Sequence, residues 1–116
     1  MFTGYFGKVK TYPKGMRYVS VSRFCRFWAG ERYLPLAPTS DMLKIEDAAE
    51  YEAIYRERIL GKLDPQKVYA DLGENAVLLC YEKWDDVKAG KKHCHRRIIA
   101  SWLEDNIQGL TVNELE

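Results

Sequence analysis

The chain has 116 residues, with 18 lysines and arginines against 17 aspartates and glutamates. That length predicts a single domain, 1–116, with room for a real core but not for a second one. The balanced charge points to neither a general nucleic-acid binder nor an acidic-surface protein. With 3 Trp, 8 Tyr and 4 Phe the chain has more rings than a small core needs, so some are expected to line a pocket.

No signal peptide precedes the first expected strand, and no apolar run reaches the roughly 18 residues of a membrane span. Three irregularly spaced cysteines do not read as a disulfide framework. The expectation is a soluble cytoplasmic protein with reduced thiols and no membrane partner.

Phe2 to Phe6, FTGYF, reads as a short strand, in which Gly4 suggests close approach of another backbone or a ligand. A basic turn around Tyr12-Pro13-Lys14-Gly15 follows, then a second strand over Arg17 to Ser22 with Tyr18, Val19 and Val21 as its formers. Arg23 to Pro38 has neither period. It interleaves Arg23, Phe24, Arg26, Phe27, Trp28, Arg32 and Tyr33, a mixture able to stack bases and hold phosphates or to complete a core beneath arginine stems.

Thr39-Ser40-Asp41 reads as a helix start, with Ser40 or Thr39 as cap. Tyr51, Ile54, Tyr55 and Ile59 then share one face of a helix ending near Gly61. Asp64 followed by Pro65 caps a short helix that Gly73 closes.

Ala76 to Tyr81 is apolar without alternation, as in a strand covered on both faces. Glu82 sits one pleat beyond Cys80, on the same face at the strand's C-terminal end. Lys83 to Lys92 carries four lysines and two aspartates and reads as a loop. The next helix opens on His93-Cys94-His95-Arg96-Arg97. Its apolar arc of Ile98, Ile99, Trp102 and Leu103, extended back, centres on His95, with Cys94 and Arg96 on the flanks and His93 and Arg97 toward solvent. A last strand over Leu110 to Glu114 completes a strand–helix–strand unit. The expected fold is a small three-layer α/β domain with a parallel or mostly parallel central sheet.

LLCYEK, a short connection and HCHRRIIASWL together resemble the closing signature of the domain-of-unknown-function 488 family. That pattern is an apolar strand ending in Cys-x-Glu, then Cys-His-Arg at the head of a helix, and Cys80, Glu82, Cys94, His95 and Arg96 match it. VSVSR, YLPLAPTSDML, the tyrosine-rich helix and LDPQKVYADL stand in the order of the family's shorter subgroup. The connection from Trp84 to Lys92 is longer than the family's few residues. The resemblance implies an α/β fold and a shared site, but no settled activity or cofactor.

These residues converge where ligands usually bind in open α/β sheets, beyond the strands' C-terminal ends. Cys94, at a helix start beside arginines, is a candidate nucleophile, with a packed thiol as the plainer alternative. The Cys-x5-Arg loop of phosphatases is excluded, since Ala100 holds the arginine's position. Glu82 and His95 form a candidate general acid–base pair.

Ser22, Arg23, Cys80 and Arg96 are the candidate ligand-binding residues, the arginines for phosphate. A nucleotide or nucleic-acid end is the expected partner, with no cofactor and no metal. An interaction module with a structural Cys-His-Arg cluster is one rival. The other is a zinc-stabilised domain using Cys80, Cys94 and His93 or His95, with Cys25 as a further donor.

Overall fold

The structure is a computed structural model that describes residues 1–23, 25–90 and 94–116. Its centre is β4, Ala76–Cys80, buried at every position. β4 pairs in parallel with β1, Phe2–Tyr5, on one side and with β2, Arg17–Ser20, on the other. The register sets Thr3 opposite Leu78, and Val19 opposite the same residue from the far side.

Two-residue strands close the edges. β3, Glu31–Arg32, lies against β2, and β5, Asn113–Glu114, against β1, giving the all-parallel order β3-β2-β4-β1-β5. An unbroken apolar run is what a strand needs when neither face sees water. Ala76, Leu78 and Cys80 enter one core, and Val77 and Leu79 the other.

The two faces are covered differently. The first core is roofed by α1, Ala48–Arg58, α2, Pro65–Leu72, and α4, His95–Asn106. The second is roofed by a 3-10 helix, Phe6–Thr11, and by Tyr12, Cys25 and Trp28 from loops. The molecule is therefore a three-layer α/β domain whose third layer is largely irregular. Gly4 makes the close approach its position in β1 suggests: a Cβ there would lie 2.9 Å from the Tyr12 ring.

Local chemistry sets the helix ends. Asp64 Oδ1 accepts from the Gln66 N–H at 3.0 Å, Pro65 takes the first helical position, and Gly73 ends α2 at φ 89°. α1 starts later than the sequence suggests. Thr39 donates to the Asp41 carboxylate, which also pairs with Arg58, so neither group caps a helix. Met42–Lys44 forms one 3-10 turn that drives Met42 into the core, and Asp47 caps α1 through the Glu50 N–H at 2.8 Å.

The expected loop after β4 contains a short helix, α3, Trp84–Lys88. Its aspartates lie at the N-terminal end and its lysine at the C-terminal end, matching the helix dipole. The Trp84 ring carries Arg97 on its face at 5.7 Å. The sequence also extends β1, β2, β4 and β5 too far. Val21 still donates to Leu79 beyond β2, but the ladder stops there.

Candidate functional site

β4 ends at Cys80, and the chain returns at Cys94, which caps α4 by backbone alone. Strand end and helix start share one edge of the sheet, and the two sulfurs lie 2.7 Å apart as free thiols. Burial pushes the Cys80 thiol well up, with the neighbouring Cys94 adding to the effect. Burial therefore favours the protonated form of Cys80, and either sulfur can be the donor across the contact.

Arg96 is 0% exposed. Its Nη1 donates to Cys80 Sγ at 2.8 Å, Cys94 Sγ at 3.1 Å and the Glu82 carbonyl at 2.9 Å. Nε and Nη2 grip Glu114 of β5 at 2.9 and 2.8 Å. The bidentate hold expected for a phosphate is thus directed at a carboxylate of the chain itself.

Thr3 Oγ1 donates to Glu114 at 2.6 Å, and Arg97 donates to Thr3 Oγ1 at 2.8 Å and to the Val112 carbonyl at 3.1 Å. Arg97, expected in solvent, is half-buried and ties α4 to β1. Sequence reasoning missed Glu114. The signal was available: an arginine on the flank of an apolar arc needs a buried anion, and Glu114 ends a strand at the same sheet edge.

His95 lies beneath the end of β2. Its Nε2 stands 2.7 Å from the Val21 carbonyl. A carbonyl only accepts, so Nε2 carries the proton and Nδ1 presents a lone pair in the neutral ring. Burial lowers the ring's pKa below its ordinary 6.5, against the raising effects of Val21 and Glu82. The Nε2 hydrogen bond thus goes to the backbone and not to Glu82, the expected acid–base partner.

Glu82 and His95 nevertheless share a small pocket of about 60 Å³ with Ser22, Arg23, Tyr81 and Leu43. Two of these residues carry buried oxygens without a hydrogen-bond partner, Ser22 Oγ and Glu82 Oε2. Arg23 stands exposed at its edge, braced by Nε donating to the Pro38 carbonyl at 2.9 Å.

The seven predicted residues therefore fall into two groups. Ser22, Arg23, Glu82 and His95 line the pocket, while Cys80, Cys94 and Arg96 form a cluster of which Cys94 borders a separate groove of about 360 Å³. Glu82 bridges the two, since its carboxylate and both sulfurs lie within 4.8 Å of one another. These three are the grouping with ligand atoms close enough for a metal among the described residues, but Arg96 already brings positive charge to both sulfurs.

Cys25 lies in the opposite core with Ser20 Oγ at 3.2 Å, and His95 holds Val21, so neither joins the pair. His93 and Phe24 lie outside the described residues.

Of the arginine–aromatic segment, Phe27 reaches the site's rim, edge-on to Tyr81 with centroids 5.7 Å apart. Both rings are open to solvent, at 64% and 44% exposure. Tyr81, the last apolar residue of the strand run, was not singled out by sequence. Trp28 donates to the Glu31 carbonyl at 2.8 Å and Tyr33 to Asp71 at 2.9 Å, so both brace the scaffold.

Sheet and site define an α/β protein with a small pocket at the C-terminal edge of a parallel sheet. No family model matches the chain, and neither a curated protein nor a solved structure does. Among the described residues, no helix is long and apolar enough to cross a membrane.

Proposed function

We propose that the chain binds a nucleotide, or the end of a nucleic-acid strand, at the pocket formed by Ser22, Arg23, Glu82 and His95. One observation carries this reading: Ser22 Oγ and Glu82 Oε2 are buried and unpartnered, and both residues line the same pocket. Unsatisfied buried oxygens are costly, and a ligand that supplies their partners recovers that loss.

A carboxylate and an imidazole lone pair both accept, so the group that enters must donate. A volume of about 60 Å³, roughly two waters' worth, admits only a small polar tip such as the hydroxyls of a sugar. The rest of the ligand then stays at the rim. Tyr81 and Phe27 offer flat faces to a base, and Arg23 offers charge to a phosphate.

Should the site turn over its ligand, Glu82 and neutral His95 are the groups able to take a proton from water, which makes the reaction hydrolytic. Cys94 borders the other groove and is not assigned that step. Kinship with the domain-of-unknown-function 488 family belongs to the same proposal. It rests on the five matched residues and on their meeting at one sheet edge. A cytoplasmic setting, with thiols reduced, completes it.

A second reading, an interaction module whose cluster only knits helix to sheet, draws support from the buried Arg96–Glu114 pair and the His95–Val21 bond.

Calorimetric titration with nucleoside monophosphates, on wild type and on Ser22→Ala, Arg23→Ala and Glu82→Gln, separates the two. The proposal expects binding that weakens about tenfold or more in each variant, at unchanged circular dichroism. Absence of binding to wild type, or equal binding by all variants, leaves the interaction module.

A further inference from the structure

The thiol pair lies outside the pocket chemistry, yet its surroundings are specific. Cys80 and Cys94 are 2.7 Å apart, while a disulfide bond is about 2.05 Å, so bonding requires the sulfurs to close by only ~0.7 Å. Cys80 is fully buried, whereas Cys94 is 5% exposed and borders the 360 Å³ groove. A small oxidant can therefore meet Cys94 first, and a bulky one is kept from both.

Arg96 donates to both sulfurs and is itself fixed by Glu114. Such a cation favours negative charge on sulfur and offers N–H bonds to an oxygen leaving as an anion. Cys25 lacks these features: it is buried in the other core beside Ser20 and Ser22, with no cation on its sulfur among the described contacts.

The geometry points to a peroxide-reactive dithiol, in which Cys94 is the attacking sulfur and Cys80 the resolving one. The Cys94 thiolate attacks one oxygen of a hydroperoxide. An S–O bond forms, the O–O bond breaks, and the other oxygen leaves and is protonated to an alcohol or to water. Cys94 is thereby oxidised by two electrons to a sulfenic acid. Cys80 then attacks that sulfur: the S–S bond forms, the S–O bond breaks, and hydroxide departs with the Cys80 proton as water. Two thiols and one hydroperoxide become one disulfide, one alcohol and one water. A reducing thiol restores the pair by exchange.

The test uses the full chain, reduced and then treated with one equivalent of hydrogen peroxide, unfolded in guanidinium chloride so that every remaining thiol is blocked with N-ethylmaleimide, and mapped by mass spectrometry. Expected are a loss of two hydrogens, two fewer alkylated thiols, a Cys80–Cys94 cross-linked peptide and an alkylated Cys25. In Cys80→Ser, dimedone should trap a sulfenic acid on Cys94; in Cys94→Ser, Cys80 should stay reduced at the same dose.

The wild-type map alone decides the matter if a variant fails to fold. Oxidation of Cys25 as readily as Cys94, or two unlinked sulfurs after peroxide, overturns the inference. So does stoichiometric zinc released from the purified protein when its thiols are alkylated.

Discussion

Arg96 and Glu114 face each other in parallel, Nε to Oε1 at 2.9 Å and Nη2 to Oε2 at 2.8 Å, with side-chain exposures of 0% and 3%. The pair joins the first turn of α4 to the outermost strand β5, and through Thr3 and Arg97 it reaches β1. A buried pair of this kind contributes little net stability compared with apolar residues of equal shape, but breaking it strands a charge away from water.

Glu114→Ala should therefore destabilise the fold by about 3–5 kcal/mol, measured by urea denaturation. A loss below about 1 kcal/mol would mean that Arg96 finds a second anion or a path to water.

His95 makes stability depend on pH. Its folded pKa lies below the ordinary 6.5, so the unfolded chain takes up the proton first as pH falls. The stabilisation is complete above about pH 6.5 and is lost as pH drops from there toward the lowered folded value. The melting temperature should fall between pH 7 and pH 5.5, and His95→Gln should flatten that slope. A slope that survives the substitution would assign the effect to another group.

Two glycines should respond to alanine for different reasons. At Gly73 a Cβ meets nothing within 4 Å, but φ is 89°, so Gly73→Ala should cost ~1–3 kcal/mol from backbone strain alone. At Gly4 the backbone is ordinary, and the Cβ would instead collide with Tyr12 at 2.9 Å and crowd Val77 at 3.2 Å. Gly4→Ala should also lose ~1–3 kcal/mol, by overpacking. Trimming Tyr12 to leucine should rescue Gly4→Ala and not Gly73→Ala, a contrast that thermal unfolding of the double variants will read.

Removing the Asp64 cap by Asp64→Ala should lower stability by about 1 kcal/mol, with Asp64→Ser recovering most of it. An unchanged denaturation midpoint in the alanine variant would show that Pro65 alone suffices to start α2.

The parallel sheet and α2 were legible in the sequence because their signals are local: an unbroken apolar run in β4, and Asp-Pro and Gly around α2. Thr39-Ser40-Asp41 misled because Thr39 and Asp41 satisfy each other, a choice no propensity records. α3 lies within a lysine-rich stretch that reads as a loop, and β3 was hidden by its two-residue length, since such a strand exists only through the neighbour it pairs with.

At the site, the helical period placed Cys94, His95 and Arg96 correctly on the buried side of α4. Periodicity orients a side chain but does not choose its partner. Glu114 for Arg96 and the Val21 carbonyl for His95 are both fixed by how separate strands stack at one edge.

The sheet order also dictates an assembly sequence. β1 and β2 have no bonds to each other; each pairs with β4, which the ribosome delivers only after both have emerged. Until residues 76–80 arrive, the first two strands have no shared neighbour, and the small edge strands have nothing stable to join. A chain cut at residue 75 should therefore remain largely unfolded, and adding the missing 41 residues in trans, numbers 76 to 116, is the natural route to a split form whose two halves gain structure only on meeting.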